Sequence, residues 1–176
     1  IVQLSENRSQ WLITDLAIQL CGAIHVPIHT PLTGTQVAYQ VTDSGARLVL
    51  VSNQEQAQKL VAGSAELPQE LQVVSYDPCP QDIVGTEILL LEELVEAIPE
   101  SPGELVSASV QPDSLATILY TSGTTGAPKG VMLTQENLVS NAAGTLEAFG
   151  QETGDVRLGF LPLSHIFART CDLYTW

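Results

Sequence analysis

The chain has 176 residues, 44% hydrophobic and 15% charged, with a mean hydropathy of +0.17. This excludes an intrinsically disordered chain, which combines low hydrophobicity with high charge density, and the length suits one domain or a piece of a larger one. Six Lys and Arg against 20 Asp and Glu give a net charge of −14 and a pI near 4.2. That balance excludes the basic footprint of a nucleic-acid binder and electrostatic docking on an anionic lipid surface.

The opening Ile1-Val2-Gln3-Leu4-Ser5-Glu6 shows no initiator Met, basic n-region or cleavage signal. Arg8 to Cys21 places Trp11, Leu12, Leu16 and Leu20 at helical spacing, with Ile13 and Ile18 widening the apolar face. Ala23 to Ile28 reads as a short buried strand checked by Pro27 and Pro31. A helix is expected over Thr33 to Thr42, with Thr33 as its cap and Gly45 beyond its end. Arg47 to Ser52 is an apolar strand, Asn53 to Ala62 a helix, and Leu71 to Tyr76 a further strand. Continuous apolar strands alternating with helices predict an α/β fold, a mainly parallel sheet flanked by helices.

Residues 77–112 differ in texture: prolines cluster, and a short helix is expected over Ile88 to Ala97. No basic residue occurs between Lys59 and Lys129, an interval holding eleven acidic ones. Such a run serves either a basic partner or a solvated face, and charge runs usually do no more than solubilise. Three portions result: 1–76, the first α/β portion; 77–112, an acidic, proline-rich connection; and 113–176, built around a glycine-rich loop. Leu115 to Thr121 is a buried strand and Val131 to Leu133 a short second one. Thr134 caps a helix running to about Phe149, with Glu136 in its first turn. Val156 to Leu161 is expected as another strand.

No apolar window is long enough for a transmembrane helix. Cys21, Cys79 and Cys171 are too scattered for a zinc site or disulfide framework, so a reducing cytoplasm is the expected setting. The apolar, aromatic end Leu173-Tyr174-Thr175-Trp176 is unlike a solvated terminus and reads as a cut inside a longer chain.

The loop Ser122-Gly123-Thr124-Thr125-Gly126-Ala127-Pro128-Lys129-Gly130 suits a phosphate chain. Gly123, Gly126 and Gly130 let the backbone approach an anion closely and aim several N–H groups at it. Thr121, Ser122, Thr124 and Thr125 add hydroxyl donors, and Lys129 adds a compact positive charge that so acidic a chain needs. A flexible Ser/Gly linker does not fit, because apolar strands hem the loop and Pro128 stiffens it. The string is not a Walker A loop, since Gly130 follows Lys129, and it contains neither a dinucleotide-binding turn nor a nucleophile elbow.

Residues Tyr120 to Thr134, YTSGTTGAPKGVMLT, closely resemble the signature loop of AMP-forming, acyl-adenylating enzymes: acyl-CoA synthetases, luciferases and peptide-synthetase adenylation domains. Leu161 to Arg169, LPLSHIFAR, is similar to the acyl-CoA synthetase segment bordering the carboxylate tunnel, its wording leaning to the long-chain fatty-acid branch. Ala168 stands where that branch has Glu, and Gln135 where His is common. Residues 11–52 resemble the family's first subdomain.

The resemblance implies that a carboxylate attacks the α-phosphate of ATP, giving an acyl-adenylate and pyrophosphate, and that coenzyme A then takes the acyl group. It implies that Thr121, Ser122, Gly123, Thr124, Thr125 and Gly126 cradle the β- and γ-phosphates, with Mg2+ reaching Thr125 through them, and that Lys129 steadies the loop or its ligand. His165 would line the acyl site near the α-phosphate. The resemblance sets the adenine and ribose motifs, the Mg2+-binding Glu and the C-terminal catalytic Lys beyond Trp176, so the 176 residues alone are expected to be inactive. Adenylation of an amino or aryl acid, a phosphotransferase releasing ADP and a non-catalytic nucleotide-binding module remain rival readings. Membrane association, common in the long-chain branch, is not visible in this stretch. Arg169 is open to a plain surface or structural role, His25 and His29 read as structural, and Trp11 and Cys171 read as core.

Overall fold

A computed structural model describes residues 1–80, 87–99, 109–122 and 126–175. Five strands form a parallel sheet in the order β2-β1-β3-β4-β5. They are β1 (Val2–Leu4), β2 (Val26–Ile28), β3 (Leu48–Val51), β4 (Gln72–Ser75) and β5 (Ile88–Leu90). The expected parallel sheet with flanking helices is therefore present, and its alternation sorts the core into two faces. Val49, Val51 and Val73 pack with Val37 and Val41 of α2 (Gly34–Asp43) and Ala57 and Leu60 of α3 (Gln54–Ala62). Leu50 and Val74 point the other way, against Ile18 of α1 (Ser9–Leu20). Burying aliphatics on both sides is what a parallel sheet requires of its strands.

Local signals place the helix starts. Thr33 caps α2 in a reciprocal box with Gln36, and the Asn53 side chain accepts from Gln56 N–H to open α3. Thr134 does the same with Asn137 for α5 (Gln135–Phe149). Among the described residues no helix is long and apolar enough to cross a membrane.

One strand is unexpected, and three expectations need correction. β1 matches no expected element, because two aliphatics around one Gln offer no period to read, yet it lies between β2 and β3. The buried side of α1 is Trp11, Thr14, Asp15 and Ile18, while Ile13, Leu16 and Leu20 are exposed. Polar partners inside turn the helix that way: Gln3 Nε2 donates to Thr14 Oγ1 at 2.8 Å, and Arg169 donates to Asp15. The single helix expected over Ile88 to Ala97 divides into β5, which pairs with β4, and α4 (Leu91–Glu96). Val156 to Leu161 forms no strand, and no described strand lies alongside to pair with it. Its Val156, Leu158 and Phe160 are exposed.

A hairpin of β6 (Leu115–Thr121) and β7 (Lys129–Thr134) joins the first sheet at one point, where His25 pairs with Thr117 in parallel register. His25 N–H donates to Ala116 O and Ile118 N–H to His25 O, each at 3.0 Å. β6 thus runs beside β2 in the same direction. The chain then forms a short helix α6 (Ile166–Ala168) that continues as a π-helical turn, Arg169–Tyr174.

Candidate active site

The β6–β7 hairpin carries the glycine-rich loop at its tip. Thr121 and Lys129 face each other in the last antiparallel pair, with Tyr120 opposite Gly130 one step back. A Cβ on Gly130 would lie 2.8 Å from Ile118 Cγ2, so this close crossing admits no side chain. Gly126 has φ +100°, which favours glycine. Thr121, Ser122, Gly126 and Lys129 are exposed. Gly123, Thr124 and Thr125, including the position expected to meet Mg2+, lie outside the described residues.

Side chains of α2 hold the hairpin's base. Tyr39 O–H donates to Pro128 O at 3.1 Å, and Tyr120 O–H donates to Asp43 Oδ2 at 2.7 Å. The two tyrosine rings meet edge to face with centroids 6.4 Å apart. Burial, reinforced by Asp43, pushes the Tyr120 phenol well above its ordinary range, so it stays a hydrogen-bond donor. Neither Tyr39 nor Asp43 stood out in the sequence.

The Leu161-Pro162-Leu163-Ser164-His165 segment forms a facing wall. Asn7 straddles it: its side-chain amide donates to Leu161 O and accepts from Leu163 N–H, both at 2.8 Å. His29 Nδ1 lies 3.2 Å from Ser164 Oγ. His165 caps α6, with Nδ1 accepting from Phe167 N–H at 3.2 Å, so the ring proton sits on Nε2. Between hairpin and segment is a cleft of about 600 Å³ whose walls include Thr121, Ser122, Pro128, Ser164 and His165. His29, Gln36 and Gln40 also line it. Two distant sequence motifs thus meet in one cleft; Lys129 stands at the root of the loop, outside the lining. A second, open groove of about 1250 Å³ includes Leu133, Leu138 and Phe149. The two concavities share Ile166 and Phe167.

Behind His165 lies a buried charged cluster. Arg169, with 0% side-chain exposure, donates from Nη2 and Nε to Asp15 at 2.5 and 3.3 Å, and from Nη1 to Thr117 Oγ1 at 2.9 Å. Thr117 O–H donates to His25 O at 2.6 Å, and Tyr174 O–H to Asp15 Oδ2 at 2.9 Å. His25 Nδ1 lies 2.6 Å from Asp15 Oδ1, and its Nε2 has no partner among the described residues. Trp11 meets the His25 ring edge to face at 5.4 Å. Burial drives the His25 imidazole down to about 4, outweighing Asp15. Burial alone would raise Asp15, but His25 and Arg169 hold its carboxyl at about 2.

The structural reading of His25 and the core reading of Trp11 agree with this arrangement. Arg169 is structural and fully buried, Cys171 is only half-buried, and His29 is an exposed cleft residue. No group of three His, Cys, Asp or Glu among the described residues could hold a metal ion.

The family model described as AMP-binding enzyme matches residues 1–176. Long-chain-fatty-acid–CoA ligase ACSBG1 of Homo sapiens is 32% identical over 184 residues, covering 98% of this chain and 25% of the relative. FadD15 of Mycobacterium bovis, also named a long-chain-fatty-acid–CoA ligase, is 34% identical over 178 residues, covering 98% and 28%. The chain thus spans about a quarter of the length of the curated relatives it matches. Among solved structures, the O-succinylbenzoate coenzyme A synthetase of Bacillus subtilis in complex with ATP and magnesium ion is 25% identical, with a TM-score of 0.71. That match covers 99% of this chain and 31% of the other.

Proposed function

The chain belongs to the AMP-binding enzyme family, and from that premise we propose that the protein carrying it activates a carboxylic acid, a fatty acid by preference, with ATP and passes it to coenzyme A. In the first step a carboxylate oxygen bonds to the α-phosphorus of ATP. The bond from that phosphorus to the bridging oxygen breaks, and pyrophosphate leaves with the electron pair. In the second, the thiol sulfur of coenzyme A attacks the acyl carbon, AMP departs and the thiol proton is released.

The observation carrying this reading is the meeting of the hydroxyl- and glycine-rich hairpin with the Leu-Pro-Leu-Ser-His wall across one cleft. The hairpin supplies donors where charge gathers on departing pyrophosphate, and holding both reactants in one cleft supplies proximity. Thr121, Ser122, Gly123, Thr124, Thr125 and Gly126 cradle the β- and γ-phosphates. Thr125 is the residue that would meet Mg2+ carried by the nucleotide, an ion that would neutralise part of the phosphate charge. Lys129, opposite Thr121, steadies the phosphates with its positive charge. His165, a neutral donor through Nε2, faces the α-phosphate and the carboxylate. The open groove beside Phe167 supports a long apolar acid: Leu133, Leu138, Phe149 and Ile166 offer it a surface. Three free cysteines support a cytoplasmic setting.

Carboxylate-dependent ATP–pyrophosphate exchange by the full-length protein tests the reading, with acids from acetate to palmitate and several amino acids. Exchange is expected with fatty acids and AMP is the expected product. Exchange with amino or aryl acids alone would discard the fatty-acid assignment, and ADP formation without exchange would discard adenylation.

A further inference from the structure

His29 has a place that neither its flanking prolines nor the two motifs announce. It follows directly on β2, and β2 runs parallel to β6 with His25 paired to Thr117. Carrying that register four residues along each strand brings His29 level with Thr121, the residue where β6 opens into the glycine-rich loop. Both residues are exposed and both line the cleft. Ser164 occupies Nδ1 of His29 at 3.2 Å, which leaves Nε2 as the ring nitrogen without a partner among the described residues. In a chain of net charge −14, a donor beside the loop bears directly on holding an anion.

We propose that His29 is a further binding residue of the cleft, donating from its imidazole to a phosphate oxygen of ATP and of the departing pyrophosphate. The assignment rests on the adenylation reading above and adds a contact from the β2 side of the cleft to those of the loop. Ser164 acts through it: by donating its O–H to Nδ1 it keeps the ring proton on Nε2, the nitrogen that faces the ligand. Phosphate is favoured over the substrate carboxylate because the register sets His29 beside Thr121, at the root of the loop.

The test is ATP–pyrophosphate exchange by the full-length protein with wild type, His29→Ala, His29→Asn and Ser164→Ala, measuring KM for ATP, pyrophosphate and acid separately. Thermal midpoints are recorded alongside and are expected to stay at the wild-type value, because His29 is exposed. His29→Ala should raise KM for ATP and pyrophosphate about tenfold, the size of one hydrogen bond to a charged group, and leave KM for the acid unchanged. His29→Asn, which keeps an N–H donor, should recover part of the loss, and Ser164→Ala should show a smaller rise in the same two constants. A change confined to the acid KM would overturn the phosphate assignment, and unchanged constants in His29→Ala would overturn any binding role. Absence of exchange in wild type would instead reject the adenylation reading. Direct titration of wild type and His29→Ala with Mg2+-pyrophosphate would then still decide the contact, equal affinities overturning it.

Discussion

The buried cluster around Arg169 and the hairpin tip around Ser122 lie on the two ends of β6 and treat polar groups in opposite ways. In the cluster, Asp15 accepts from Arg169 and Tyr174, and Arg169 also meets Thr117, all away from solvent. At the tip, hydroxyls and a lysine stand exposed, and the contacts from α2 reach only the hairpin's base. Charge inside the fold must be answered by the fold, since an unpaired buried ion costs several kcal/mol. Donors at the tip can wait for an anion because water satisfies them meanwhile. The difference separates residues that hold the cleft walls together from residues that meet a ligand, and the two sets should fail differently when altered.

The largest effect is expected from breaking the cluster. Arg169→Met removes one partner and leaves Asp15 buried without its guanidinium, which should lower unfolding free energy by about 3–5 kcal/mol. The double variant Asp15→Leu with Arg169→Met should recover most of that, because replacing both ions by apolar groups leaves no orphan charge. Urea unfolding of the three proteins decides it; a single variant as stable as wild type would mean that the cluster contributes nothing net.

A smaller effect comes from protons. His25 titrates at about 4 in the fold and at 6.5 when unfolded, so between those values the unfolded chain binds more protons. Stability should be full above about pH 6.5 and fall as pH drops towards 4, by up to about 3 kcal/mol. Asp15, held at about 2 against an ordinary 3.8, adds a further loss only below that upper value. Unfolding midpoints at pH 7, 6, 5 and 4.5 read this out, and His25→Gln should flatten the profile over that interval. A flat wild-type profile would mean that His25 stays protonatable inside.

These two regions also differ in how far the sequence discloses them. Thr121, Ser122 and His165 stand out because their partners are sequence neighbours in compact motifs, and Thr33 and Thr134 cap helices through residues three positions on. Contacts across long separations give no such trace. Asn7 meets the Leu161 segment across 154 positions, His29 meets Ser164 across 135, and Tyr39 meets Pro128 across 89. The face of α1 is misjudged from hydropathy for the same reason, since Asp15 turns inward only because Arg169 and His25 await it there. β1 hides in three residues whose identity as a strand comes from neighbours on both sides. Val156 to Leu161 shows the converse, an apolar run with strand propensity and no described strand beside it to supply the hydrogen bonds.

The smallest expected effect belongs to Lys129, and it sharpens the contrast most. Its side chain is exposed on β7 opposite Thr121, so nothing in the core depends on it. Lys129→Ala should therefore change unfolding free energy by no more than about 0.5 kcal/mol, as surface substitutions do. Binding is another matter, because Lys129 is one of only two lysines in a chain with 20 acidic residues. Losing that charge beside the loop should weaken Mg2+-ATP by about tenfold, or roughly 1.4 kcal/mol, and more at low salt than at high, since exposed charges are screened. Isothermal titration at two salt concentrations, paired with a thermal scan, checks both halves. A variant that binds nucleotide normally but unfolds early would reverse the assignment and make Lys129 part of the scaffold. Weakened binding on an unchanged fold would instead mark the hairpin tip as the region that faces the ligand, while the cluster at the other end of β6 carries the stability.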